Sequence, residues 1–92
     1  MITSFRCSDT EALFKGRSVA RFALIATSAL RKLAILNRAS TLDDLRVPPG
    51  NRLEKLSGDR NGQYSIRVNN QWRICFDFEN GQAENVEIVD YH

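Results

Sequence analysis

The sequence has 92 residues, a formal net charge of +2, and 42% hydrophobic side chains. This length predicts one small domain over residues 1–92 with a single core. Cys7 and Cys75 are too few and too far apart for a disulfide-rich or Cys-rich metal scaffold, so we expect free thiols and a cytoplasmic protein. The longest uncharged apolar stretch, residues 22–30, is too short to span a bilayer, so we expect no membrane association.

The charges are unevenly distributed along the chain. Residues 1–38 contain seven Arg or Lys against two acids, whereas residues 74–92 contain five acids and no Arg or Lys. This asymmetry suggests a basic surface that faces a polyanion, although scattered basic residues can also serve only as solubilising groups.

The first half of the chain has a mainly helical pattern. Residues 1–6 predict a short strand, and the Ser8-Asp-Thr-Glu11 capping box predicts a first helix that Gly16 can end. Residues 19–38 predict a longer helix, because their apolar side chains form one stripe with a 3.6-residue period. Leu24 and Ile35 fall outside that stripe beside Arg31. They suggest a protein-binding face, but single exposed apolar residues are common.

The second half of the chain has a β pattern. Thr41-Leu-Asp-Asp44 predicts a capped helical turn, and Pro48-Pro49-Gly50 predicts the turn that precedes the sheet. Residues 51–56 then predict a strand, and residues 57–62 predict a loop rich in turn formers. Together, the two halves predict an α+β fold, with an N-terminal strand and two or three helices on one face of a mainly antiparallel sheet of four to five strands.

The next two strands form a predicted hairpin whose register opposes two arginines. Aligning their apolar faces sets Ile66 opposite Ile74 and leaves residues 69–71 as a three-residue loop. Arg67 then lies directly across from Arg73. Because opposed like charges are mutually destabilising, the pair suggests a phosphate clamp; alternatively, both side chains are screened by solvent or reach nearby acids.

The final strand follows the strong Asn80-Gly81 turn signal. A strict two-residue loop would pair Ile88 with Arg73, so a bulge or another register is needed to return Val86 and Ile88 to the core. With Val86 and Ile88 inward, alternation predicts that Tyr91 faces the side of Arg67 and Arg73.

The sequence ends with Asp90-Tyr91-His92, and His92 is its single histidine. A histidine beside an acid and a phenol is a candidate for proton transfer, although a terminal histidine is commonly a solvated chain end. The shortage of other ligand residues argues against a catalytic metal site, and no Gly-rich phosphate loop is present, so we expect no cofactor.

Three segments closely resemble the HigB toxins of the RelE/ParE superfamily: residues 51–60, residues 62–76 and the terminal Val89-Asp-Tyr-His92. The resemblance implies a small RelE-like toxin of a bacterial toxin–antitoxin pair that enters the ribosomal A site on the 30S subunit and cuts mRNA. It also implies a HigA-like helix-turn-helix antitoxin as partner.

The resemblance also implies a catalytic group, made up of Arg73, Asp90, Tyr91 and His92. Two positions depart from the family pattern. Many relatives have a lysine where this chain has Ser57, and some have a histidine where it has Glu54. Lys55 or Arg60 could replace the missing positive charge, and Arg60 is the freer candidate because alternation places Lys55 on the side of Leu53.

These residues predict RNA cleavage without a metal ion, in which the 2′-hydroxyl attacks the adjacent phosphate. The expected roles are proton transfer by His92 helped by Asp90, and phosphate stabilisation by Arg73 and Arg67. Tyr91 stacks on a base or shares the proton transfer. Two alternatives remain: a ParE-like toxin that inhibits DNA gyrase without nuclease activity, and a non-catalytic RNA-binding module.

Overall fold

The computed structural model describes residues 1–90, and Tyr91 and His92 lie outside the described residues. Two α-helices, α1 (Ser8–Phe14) and α2 (Ala26–Arg38), precede a four-stranded sheet. In chain order, the strands are β1 (Glu54–Lys55), β2 (Tyr64–Arg67), β3 (Trp72–Glu79) and β4 (Gln82–Asp90). They are adjacent in the order β1-β2-β3-β4, and every neighbouring pair is antiparallel, which confirms the predicted α+β class.

The core lies between α2 and one face of the sheet. Leu33 and Leu36 of α2 are fully buried, as are Ile66, Ile74 and Phe76 of the sheet. Tyr64, Trp72 and Phe78 are partly buried against this cluster, as their alternation predicts. The sheet therefore has an inner face that contacts the helix and an opposite face, which we call the outer face.

The predicted long helix over residues 19–38 is wrong at its beginning, because α2 starts at Ala26. A short 3-10 turn, Ala20–Phe22, precedes it. Tertiary contacts hold this turn: the Phe22 ring packs edge-on against Trp72 at 5.6 Å, and Arg21 Nε donates to Asp9 Oδ2 of α1 at 2.9 Å. These contacts bury Phe22 without a continuous helix.

The capping box predicted at Ser8 is also wrong. Helix α1 begins at Ser8 itself, so Cys7 occupies the capping position and makes no side-chain cap bond. Glu11 instead pairs with Lys15 at 2.9 Å, one turn along the helix. In contrast, the capping box predicted at Thr41 is confirmed: Asp44 N donates to Thr41 Oγ1 at 3.3 Å, and Thr41 N donates to Asp44 Oδ2 at 3.1 Å.

The predicted strand over residues 51–56 is reduced to Glu54–Lys55. Asn51 is fully buried, because its side-chain amide donates to the carbonyl oxygens of Leu45 and Val47 at 3.1 and 3.2 Å. Arg52 then adopts a left-handed conformation with φ 45°, which interrupts the extended chain.

The register of the last hairpin includes a bulge, one of the two alternatives that the sequence left open. Glu79 pairs with Gln82 across the two-residue Asn80-Gly81 turn, but Ile74 pairs with Ile88, so β4 contains one extra residue. Asn85 has φ 53° in this region, and the shift returns Val86 and Ile88 to the core.

The N-terminal segment lies parallel to β4, through bridges at Ile2–Ala83 and Phe5–Val86. It therefore occupies the predicted first-strand position as an irregular edge, because the β4 bulge interrupts a regular ladder.

Candidate functional site

The site is built on the outer face of β2 and β3. Arg67 and Arg73 are direct partners across these strands, which confirms the predicted register. Val68 N donates to Trp72 O at 2.9 Å, so residues 69–71 form the predicted loop. The opposition of two arginines follows from the pairing of the apolar inner-face residues.

Arg73 is held at several points, and only 8% of its surface is exposed. Its Nε donates to Ser65 Oγ at 2.8 Å, and its Nη2 donates to Arg52 O at 2.7 Å. The same Nη2 lies 3.5 Å from Glu54 Oε1. A guanidinium fixed in this way needs little reorganisation to bind an anion.

The sequence patterns did not predict Ser65 and Arg52 as partners of Arg73. Ser65 is fully buried beside Arg73, and alternation could have placed it on that face. The contribution of Arg52 had no sequence signal, because it uses a carbonyl oxygen presented by a left-handed residue.

Glu54, one of the two departures from the family pattern, lies in this site. It pairs with Ser65 across β1 and β2, which places it on the outer face with Arg73. Its side chain is 55% exposed, so its carboxylate contacts both Arg73 and solvent. Lys55 is exposed and pairs with Tyr64, on the inner-face register away from Arg73. Lys55 is therefore a poor substitute for the lysine missing at Ser57.

Arg60 lies on the outer face, although not as a free loop side chain. Its Nη1 donates to Glu87 Oε1 at 2.7 Å and to Gln63 Oε1 at 3.1 Å. Glu87 is the β4 partner of Cys75, at the centre of the sheet. Burial raises the pKa of the Cys75 thiol, and the nearby positive charges of Arg60 and Arg73 act in the opposite direction. Arg60 therefore lies on the same face as Arg73, with its positive charge paired to the Glu87 carboxylate.

Asp90 is the last residue of β4 and pairs with Trp72, next to Arg73 in the β3 sequence. Its Oδ2 accepts a hydrogen bond from Gln71 Nε2 at 3.0 Å. The structure thus brings Asp90 to the same end of the central hairpin as Arg67 and Arg73, but its pairing with Trp72 gives it the inner-face register, whereas the two arginines have the outer-face register. The predicted orientations and roles of Tyr91 and His92 lie outside the described residues.

The protein-binding face suggested by Leu24, Arg31 and Ile35 is only partly supported, because Leu24 precedes α2. The Leu24 side chain is fully exposed, but Ile35 is half-buried and packs against the core. An apolar groove of about 370 Å³ lies elsewhere, between the end of α1 and the start of α2, and Leu13, Ala26 and Leu30 line it. Within residues 1–90, no helix is long and apolar enough to cross a membrane.

The chain is similar to curated bacterial toxins. It is 49% identical over 61 residues to Toxin HigB-1 of Vibrio cholerae, covering 66% of this chain and 64% of that protein. It is also 49% identical over 41 residues to Endoribonuclease HigB of Proteus vulgaris, covering 45% of each. The alignments thus span less than two thirds of these relatives.

The fold is similar to that of a chain in the YoeB–YefM toxin–antitoxin heterotetramer of Staphylococcus aureus. The TM-score is 0.63 at 16% identity, covering 100% of this chain and 98% of that one. A second YoeB–YefM structure gives a TM-score of 0.59 at 17% identity. The family model for the RelE-like toxin HigB of type II toxin–antitoxin systems matches residues 17–92. Because that match covers most of the sequence, the chain belongs to the HigB-like toxin family.

Proposed function

We propose that this protein is the toxin of a type II toxin–antitoxin system and that it cleaves mRNA in the ribosomal A site. Family membership and the endoribonuclease name of the Proteus vulgaris relative support this activity. The observation that carries the proposal is the fixed guanidinium of Arg73, directly across from Arg67 and close to the end of β4. Such an arrangement is suited to a phosphate that gains negative charge during reaction.

In the proposed mechanism, the 2′-hydroxyl of the RNA attacks the adjacent phosphorus and the 5′-oxygen of the next nucleotide leaves. His92, helped by Asp90, transfers protons, while Arg73 and Arg67 stabilise the negative charge on the phosphate oxygens. Tyr91 stacks on a base or shares the proton transfer. Arg60, which Glu87 holds on the same face, makes a further contact to a phosphate of the RNA. The mechanism uses side chains of this chain and no metal ion.

We also propose that a HigA-like helix-turn-helix antitoxin binds and inhibits the protein. The family description supports a toxin–antitoxin pairing, and the structurally similar chains come from complexes with an antitoxin. Co-expression of this chain with its neighbouring gene product, followed by size-exclusion chromatography, tests the pairing. Independent elution of the two proteins would contradict it.

Cleavage on programmed ribosomes tests the nuclease proposal. Primer extension should map cuts within the A-site codon for the wild-type protein. His92→Ala should slow cleavage by about 10²- to 10⁴-fold, the usual contribution of an acid–base group, and Arg73→Gln by about 10²- to 10³-fold. Arg46→Gln is a matched control, because Arg46 is exposed and pairs only with Asp43 within residues 1–90. Circular dichroism establishes that each variant is folded.

Two results would contradict the proposal. Cleavage by His92→Ala at the wild-type rate would exclude the proton-transfer role. An absence of mRNA cleavage by the wild-type protein, together with inhibition of DNA gyrase supercoiling in a parallel assay, would assign the chain to the ParE-like alternative.

A further inference from the structure

Four cationic side chains of α2, β2 and the segment before β1 have no carboxylate partner within residues 1–90. Arg67 lies opposite Arg73, and its guanidinium contacts the amide oxygen of Asn70. Arg52 is exposed, and its carbonyl oxygen binds Arg73. Arg31 and Lys32 come from α2, the helix on the other side of the sheet. We call three of them, Arg31, Lys32 and Arg52, the lateral cations, because Arg67 already belongs to the opposed arginine pair of the proposed active site.

A series of contacts connects Lys32 to the site. Lys32 Nζ donates to Asn51 Oδ1, and the amide nitrogen of Asn51 is fixed by the carbonyl oxygens of Leu45 and Val47. The next residue, Arg52, accepts the 2.7 Å bond from Arg73. The Lys32 ammonium is therefore held in a defined position close to the Arg73 end of the sheet. An ammonium has three N–H donors, and the bond to Asn51 uses one of them.

The electrostatics agree with this arrangement. The pKa of Lys32 is lowered, first by partial burial and then by the positive charges of Arg31 and Arg67. Arg67 belongs to β2 and Arg31 to α2, so positive charges from both the sheet and the helix act on the Lys32 ammonium. Cations grouped in this way repel one another, and a bound polyanion would relieve the repulsion.

We infer that the lateral cations form a second RNA-binding site, which holds backbone phosphates of the strand beyond the scissile position and so extends the site around the sheet edge onto α2. This inference rests on the proposed function, which identifies RNA as the ligand. RNA is favoured over an acidic peptide because the lateral cations are continuous with Arg73 and Arg67. A nucleic-acid backbone presents regularly repeated charges along such a path.

Binding of an uncleavable RNA tests the inference separately from catalysis. The probe is a short fluorescent RNA single strand with 2′-O-methyl riboses. Fluorescence anisotropy over a salt series measures the Kd of the protein for the free strand. A parallel assay measures binding of the protein to ribosomes programmed with the same strand as mRNA. Lys32→Gln and Arg31→Gln each remove one charge, and glutamine retains an N–H donor. Arg17→Gln is the matched control. Arg17 is exposed, has no ion-pair partner in the described chain, and follows α1, which packs towards β4 at the opposite edge of the sheet.

Each lateral-cation variant should lower the slope of log Kd against log salt by about 0.7, the value for one phosphate contact on a single strand. If wild type and variant have equal Kd at 1 M salt, this change in slope makes the variant bind about fivefold more weakly near 0.1 M salt. Arg17→Gln should keep the wild-type affinity and slope in both assays.

The inference is overturned if Lys32→Gln and Arg31→Gln both bind like Arg17→Gln, or if the wild-type protein binds neither free RNA nor programmed ribosomes. It is also overturned if a polyglutamate peptide of equal charge binds as tightly as the RNA with the same sensitivity to Lys32→Gln. Failure of the proposed function has a different result: ribosomal mRNA stays intact with the wild-type protein while Lys32→Gln still weakens binding of the uncleavable RNA.

Discussion

Replacing Ser65 with alanine should reveal how strongly the fold constrains Arg73. The Ser65 hydroxyl accepts a 2.8 Å bond from Arg73 Nε, and neither residue is appreciably exposed, at 0% and 8%. Water therefore has little access to replace the lost acceptor. A hydrogen bond to a charged group is worth about 1.5–3 kcal/mol, and an unsatisfied buried donor adds to the cost of losing it. In a domain of this size, about 2 kcal/mol lowers the Tm by roughly 10 °C.

Urea and thermal unfolding measure this loss, with Ser18→Ala as the control because Ser18 is exposed. Arg73 keeps its bond to the Arg52 carbonyl oxygen in Ser65→Ala, so the variant should fold with a less constrained guanidinium. At a temperature where both variants are folded, mRNA cleavage by Ser65→Ala should fall by up to about 10²-fold, the effect of a small misplacement of a catalytic group. Equal unfolding free energies for Ser65→Ala and Ser18→Ala would refute the reasoning.

Three further predictions concern Glu54, Asp44 and Asn85. Glu54→Gln should bind the uncleavable RNA about fivefold more tightly at low salt, because it removes roughly 1 kcal/mol of repulsion between the solvated Glu54 carboxylate and a phosphate bound to Arg73. An unchanged Kd in the anisotropy assay would contradict this prediction. Hydrogen bonds from the backbone N–H groups of Ser40 and Thr41 lower the pKa of Asp44 below its usual 3.8. The stabilisation that the ionised Asp44 carboxylate gives the fold is therefore present above the unfolded-state pKa and lost as pH falls through the folded-state pKa. In urea titrations, the difference in unfolding free energy between wild type and Asp44→Asn should shrink from pH 5 towards about pH 2. Asn85 has φ 53°, so the unfolding free energy of Asn85→Val should be at least about 1 kcal/mol lower than that of Asn85→Gly. Both variants lose the side-chain bond to Asp77, so the comparison isolates the backbone conformation. Equal urea midpoints for the two variants would show that the bulge conformation carries no strain.

Much of the sheet was predictable from the sequence because its strands and turns are specified by residues close together in the chain. Alternation with a period of two separated the inner from the outer face. Alignment of the apolar faces then set the register of β2 and β3, and with it the opposition of Arg67 and Arg73. The Asn80-Gly81 turn predicted the last hairpin but left a bulge and another register as alternatives, and the structure has the bulge. The helix boundaries were less predictable, since contacts of Phe22 and Arg21 with distant residues replace the first turns expected for α2.

The sequence by itself thus determined the class of fold, the two opposed arginines and the family to which the chain belongs. Tertiary structure decided the environment of Arg73. Its burial depends on a serine from β2 and a carbonyl oxygen from left-handed Arg52. The approach of Lys32 likewise depends on buried Asn51. Periodicity reports which face of an element a side chain occupies, whereas these contacts join elements whose separation in space is set only when the core packs.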